Sequence, residues 1–246
     1  MSPFDFIFML TRNDRTVADA ALHADTALQA GIRHIGFKDV GLPFNALAKL
    51  SQQIKTAGAS SYIEVVSLDR ESELRSVKAA IDLGVDYLLG GTHAEDVLPL
   101  LEGTGIRYYP FPGQIVGHPS VLKGTEAEIV QSAVRLAGHA GVCGLDLLAY
   151  RSPGNVPSLI EAVCRAVIKP VIVAGSIDRP DQIDTIRNGG ASGFTIGTSA
   201  LDGRFSGAEP DLGSQLQAII GAVQGQPFDD RRGDKMPAGN LYDDSE

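Results

Sequence analysis

The chain has 246 residues, 43% of them hydrophobic and 21% charged, a balance ordinary for a soluble globular protein with room for a large core. Asp and Glu together number 30 against 21 Lys and Arg, and the formal net charge of −9 excludes non-specific nucleic-acid binding, which needs basic surface. Cys143 and Cys164 both stand in apolar context without metal-site spacing, and read as buried free thiols.

The opening MSPFDFIFML lacks a basic n-region and a small-residue cleavage site, and is too short to span a membrane. It reads as strand one, residues 4–10, of a cytoplasmic protein. Thr11-Arg12-Asn13-Asp14 is then a loop, with Asn13 or Asp14 placed to cap a helix that carries Val17, Ala20, Ala24 and Leu28 and stops at Gly31. Strand two is His34–Lys38. A helix over 44–57 ends at Gly58, and strand three covers 62–67. The spacing of Leu74, Val77, Ala80 and Ile81 predicts a helix over 72–83. Strand four, 86–89, runs into Gly90-Gly91-Thr92-His93, then a short helix over Ala94–Leu101 and strand five, 106–111.

The longest irregular stretch, PGQIVGHPSVLKGTE, follows, and long loops in a regular domain are often functional. Thr125 opens the next helix. Strand six, 142–148, a helix over 156–167, strand seven, 171–174, the helix Pro180–Asn188, strand eight, Gly193–Ile196, and a last helix, Leu212–Val223, complete the alternation. Residues 225–246 are polar and read as a poorly ordered tail. Eight short apolar strands alternating with eight helices fit a doubly wound sheet or a closed barrel. The length fits the barrel, and no GxGxxG turn follows strand one. The expected architecture is a single (β/α)8 TIM barrel over residues 1–224.

Reactive groups of such barrels sit at the C-terminal strand ends. Side chains alternate along a strand, so packing Ile35 and Phe37, Ile63 and Val65, and Leu145 and Leu147 outward turns Lys38, Glu64 and Asp146 into the barrel mouth. Charged residues are rarely buried unless paired or functional. The three are therefore either a buried ion network or a proton-transfer or Schiff-base centre. Arg12, His93 and Arg151 are candidate substrate contacts; His93 serves equally as a helix cap. No HxH, HxxxH or DxH pair supports a metal, and neither metal nor cofactor is expected. Residues 170–202 hold two glycine-containing turns, Gly175-Ser176 and Gly197-Thr198-Ser199, after strands seven and eight. Free backbone N–H groups there suit a phosphate.

The stretch VIVAGSID…IRNGGASGFTIGTSAL resembles the last quarter of the ribulose-phosphate-binding barrels, which include the histidine- and tryptophan-biosynthesis isomerases, N-acylmannosamine-6-phosphate epimerase and related aldolases. The resemblance implies a phosphorylated ligand and leaves the reaction open. Strand one ends Phe8-Met9-Leu10, where the two biosynthetic isomerases carry an acid or thiol. Lys38 and Glu64 stand where the metal-dependent pentulose-phosphate epimerases carry histidines. The decarboxylase pattern DxKxxD is absent. Three readings follow: a metal-independent isomerase or epimerase acting on a phosphorylated sugar or sugar acid, a class I aldolase using Lys38, or a phosphometabolite sensor without turnover. The expected partner is a small phosphorylated molecule, with neither nucleic acid nor membrane, and a homodimer is left open.

Overall fold

The computed structural model describes residues 4–225; most of the polar tail expected over 225–246 lies outside the described residues. Eight parallel strands form one sheet: strand one (Asp5–Met9), two (His34–Lys38), three (Ser60–Val65), four (Tyr87–Gly90), five (Arg107–Tyr109), six (Leu145–Leu147), seven (Val171–Val173) and eight (Gly193–Ile196). Strand one pairs with strands two and eight, and the order continues around both sides to strands five and six. There the barrel closes through a Tyr108–Val142 bridge, with Cys143 N–H donating to Tyr108 O at 2.8 Å and Asp146 N–H to Pro110 O at 3.1 Å. The protein is a single-domain (β/α)8 barrel.

Eight helices of the outer ring are α1 (Ala20–Gln29), α2 (Phe44–Thr56), α3 (Arg70–Leu83), α4 (Ala94–Leu101), α5 (Glu126–Ala137), α6 (Val156–Ala166), α7 (Pro180–Asn188) and α9 (Leu212–Val223). A single extra turn, α8 (Thr198–Leu201), follows strand eight. The outer strand faces, among them Ile35, Phe37, Ile63, Val65, Leu145 and Leu147, pack with helix residues in one large core. A smaller cluster of Ile7, Met9, Tyr62, Leu89, Tyr109 and Ile172 fills the barrel interior. Two inward positions leave little room for a Cβ, and only at Gly144 is the obstacle backbone. A Cβ on Gly36 would lie 2.3 Å from Met9 Sδ, and one on Gly144 would lie 2.0 Å from the Tyr109 ring and 2.6 Å from Pro170 O.

Four local expectations are corrected. Neither Asn13 nor Asp14 caps α1, which begins at Ala20 after Asp19. Instead Thr11–Arg12 and Arg15–Thr16 form a small antiparallel hairpin whose two-residue turn is Asn13-Asp14, at φ of 50° and 56°. A hairpin turn with both central residues left-handed favours Asn and Asp, which tolerate that region. The stretch after strand five is not irregular: Gln114–Val116 and Val121–Lys123 pair as a second hairpin. Strand six is shorter than expected, which leaves Cys143 ahead of it and exposed, while Cys164 on α6 is half-buried.

Gly144→Ala should destabilise the barrel, because the contact with Pro170 O is with backbone that cannot swing aside. Overpacking of this kind costs about 1–3 kcal/mol. Thermal denaturation checks it; a variant melting with the wild type would show that strand six has slack the structure does not show.

Candidate active site

Parallel register places Lys38 directly beside Glu64 on neighbouring strands. Lys38 Nζ donates to Glu64 Oε1 at 2.9 Å and to Asp14 Oδ1 at 3.0 Å, with all three side chains 5% exposed or less. The Asn13-Asp14 turn folds the first hairpin over the mouth. The hairpin is tied down by Thr16 Oγ1, which donates to Lys38 O and accepts from Lys38 N–H, both at 2.8 Å. Asp14 therefore reaches the site from a loop rather than from a strand.

Asp14 gathers three segments. Arg151, on the 3-10 turn Ala149–Arg151 after strand six, donates to it through both terminal nitrogens, at 2.6 and 2.8 Å. Ser120 N–H, at the tip of the second hairpin, donates to Asp14 Oδ2 at 2.9 Å, and Arg151 also donates to Ser120 O at 3.3 Å. Burial alone would raise the Asp14 pKa, but the Arg151 hydrogen bonds, the charges of Lys38 and Arg151 and the Ser120 amide outweigh it and hold Asp14 far below the usual carboxylate range. Burial likewise opposes the charge on Lys38, yet the carboxylates of Glu64 and Asp14 prevail and raise its pKa. Lys38 is thus an ammonium group at neutral pH, and two of its three N–H donors are committed.

Asp146 behaves differently. It is fully buried and both carboxyl oxygens lack a hydrogen-bond partner. Burial first, and then the charge of Glu64, push its pKa well above the usual range, although Lys38 and Arg151 act the other way. Burial and the Glu64 charge favour the neutral acid, and Asp146 does not line the mouth cavity.

The cavity has a volume of about 680 Å³. Lys38, Glu64, Asp14 and Met9 line one part of it, Tyr150 and Arg151 a side, and the turns Gly175–Asp178 and Gly197–Ser199 another part, with Arg204. Ser199 Oγ donates to Ile177 O at 2.6 Å and joins the two turns. Thr198 and Ser199 stand in the first turn of α8, where amide groups have no acceptor within the helix. Gly197 also has a packing reason to be glycine, since a Cβ would sit 2.8 Å from Met9 O. Gly175, at φ 127°, holds a conformation that side chains disfavour.

Arg12 and His93 are not brought to the cavity wall. Arg12 donates to Asp202 Oδ1 at 2.6 Å and to Leu201 O at 3.1 Å, which clamps the first hairpin to α8. His93 precedes α4, and its Nδ1 lies 2.7 Å from Glu73 Oε2. Buried Glu73 also accepts from the Thr92 and His93 amides at 3.0 Å, so this cluster organises the start of α4. Asp39 turns away from Lys38 and accepts from Ser76 Oγ at 2.5 Å. Gln114 and His118 are exposed on the second hairpin. Among the described residues no group of three His, Cys, Asp or Glu side chains could hold a metal ion. No helix among them is long and apolar enough to cross a membrane.

Among solved structures, orotidine 5'-phosphate decarboxylase from Pyrococcus horikoshii superposes with a TM-score of 0.64, at 13% identity, over 89% of this chain and 99% of that one. The likeness shows a shared (β/α)8-barrel fold. (S)-3-O-geranylgeranylglyceryl phosphate synthase from Thermoplasma acidophilum, in complex with its substrate sn-glycerol-1-phosphate, gives a TM-score of 0.61 at 16% identity, over 91% of this chain and 94% of that one. In sequence, 142 residues are 28% identical to 1-(5-phosphoribosyl)-5-((5-phosphoribosylamino)methylideneamino)imidazole-4-carboxamide isomerase from Haloquadratum walsbyi. That match takes in 52% of this chain and 57% of the length of the relative. No family model matches the chain.

Asp146→Asn should become more stable relative to the wild type as pH rises. A raised folded-state pKa means that the fold holds a proton the unfolded chain releases above about 3.9, so wild-type stability falls between that pH and the folded-state value. Between pH 5 and pH 8 the difference in Tm should shift toward the variant by at least about 2 °C, the scale of 1 kcal/mol in a domain this size. A pH-independent difference would show that Asp146 is not kept protonated.

Proposed function

We propose that the protein is a metal-independent isomerase or epimerase of a phosphorylated sugar, working by proton transfer next to a carbonyl. The observation that carries this reading is the buried Lys38 ammonium beside Glu64 on the wall of the cavity. Glu64 engages Lys38 through Oε1, and Oε2 accepts no hydrogen bond among the described residues. One N–H of Lys38 is also uncommitted. A carboxylate oxygen and an ammonium donor then face the same space.

The phosphate is held at Gly175, Ser176, Gly197, Thr198 and Ser199, with Arg204 adding positive charge. The phosphate esters in the names of the relatives and structural neighbours support that end of the reading. Lys38 donates to the substrate carbonyl oxygen. Glu64 removes the proton from the adjacent carbon, and the electron pair moves onto the oxygen as an enediolate that Lys38 stabilises. For isomerisation, the proton returns from Glu64 to the former carbonyl carbon, while the hydroxyl proton passes to the enediolate oxygen. For epimerisation, the same carbon is reprotonated on its other face, which needs a second acid. Asp14 positions Lys38 and keeps it charged. Burial favours the neutral form of Asp146, which limits the negative charge near the base.

The same geometry weighs against an aldolase. A Schiff-base lysine attacks as a free amine, and the two carboxylates hold Lys38 protonated.

Glu64→Gln should abolish solvent-deuterium incorporation into a panel of pentose and hexose phosphates, with a loss of about 10²–10⁴-fold, the usual worth of a general base. Mass spectrometry of the wild-type reaction should show one deuterium per turnover at the carbon next to the carbonyl. Borohydride added with substrate should leave Lys38 unmodified. A reduced adduct on Lys38 would establish the aldolase reading instead, and binding without exchange across the panel would establish the sensor.

A further inference from the structure

Resting on the sugar-phosphate reading above, we infer that this cavity takes phosphate monoesters of otherwise uncharged carbonyl chains, and discriminates against bisphosphates and phosphorylated sugar acids. The ion pairing around Lys38 carries the inference. The cavity wall there presents two cations, Lys38 and Arg151, and two anions, Asp14 and Glu64. Both cations are spent within the protein. Lys38 bridges the two carboxylates, and both terminal nitrogens of Arg151 are engaged on Asp14. Arg151 is therefore not poised as a clamp for a second anion.

Space does not make the distinction, since about 680 Å³ holds more than a pentose phosphate of either kind. Charge does. A carboxylate or second phosphate placed at Lys38 would meet a balanced, nearly buried cluster and add an unpaired negative charge beside Glu64. Desolvating such a charge is expensive without a partner. A hydroxyl or carbonyl meets no such penalty and uses the one free Lys38 donor. Arg204 stands apart from this cluster: it shares Asp202 with Arg12, at 2.8 and 2.6 Å, so two cations meet one anion there, and its side chain is 62% exposed. One end of the cavity is thus suited to an anion and the other to a neutral group. Rejection arises here from an unfavourable element rather than from a missing contact.

The test is calorimetric titration of the full-length protein with three five-carbon probes that share the 5-phosphate: ribulose 5-phosphate, 5-phosphoribonate, which carries a carboxylate at C1 and a hydroxyl at C2, and ribulose 1,5-bisphosphate, which adds a second phosphate at C1. Ribulose 5-phosphate should bind at least tenfold more tightly than either of the others. Asp14→Asn, which removes one anion and releases Arg151, should shrink that ratio by about tenfold or reverse it. Equal or tighter wild-type binding of the bisphosphate or the acid would overturn the inference while leaving the phosphate site intact. Failure of all three probes, and of inorganic phosphate, would overturn the phosphate reading and this inference with it. If Asp14→Asn does not fold, the wild-type ratios alone decide.

Discussion

Lys38 is an ammonium group almost entirely removed from water, and the mouth of the barrel is arranged to make that tolerable. Burying an unpaired cation is prohibitive, whereas a cation held by two carboxylates at hydrogen-bond distance is not. Glu64 comes from the neighbouring strand as a consequence of register. Asp14 must be carried in by a loop, and then itself needs donors. Arg151 and the Ser120 amide meet that need, and in doing so pin the turn after strand six and the second hairpin over the site. One buried charge thus determines the positions of three loops.

The same network sets the protonation states on which chemistry would depend. Lys38 stays charged and Asp14 ionised, while Asp146, within reach of the charge on Glu64 but without a side-chain hydrogen bond, is pushed toward the neutral form. Two carboxyl groups in one barrel interior are pushed toward opposite states by their surroundings. Glu64, with one oxygen on Lys38 and the other open, is left as the group able to exchange a proton with a ligand.

The second cluster of buried charge, Glu73 with His93, has a different character. The hydrogen bonds of the Glu73 carboxylate all go to Thr92 and His93 in the loop ahead of α4, so its electrostatic work is spent on the fold. The contrast shows why a histidine after a barrel strand is weak grounds for a site. The loop can supply its own buried carboxylate and turn the ring sideways.

The sequence by itself determined the architecture and the inward set of strand residues. Strand periodicity is local, and one apolar face per strand settles which way Lys38, Glu64 and Asp146 point. The glycine turns after strands seven and eight were legible for the same reason. The partners of Lys38 were only half legible. Asn-Asp between Thr-Arg and Arg-Thr is a two-residue hairpin signal, but the residue that this turn delivers into the site depends on where the hairpin docks, as does the reach of Arg151 across to Asp14. Those are contacts 24 and 137 residues apart in the chain. Which charges are paired, and so which remain free for a ligand, is a property of distances between segments, and only the tertiary structure decided it.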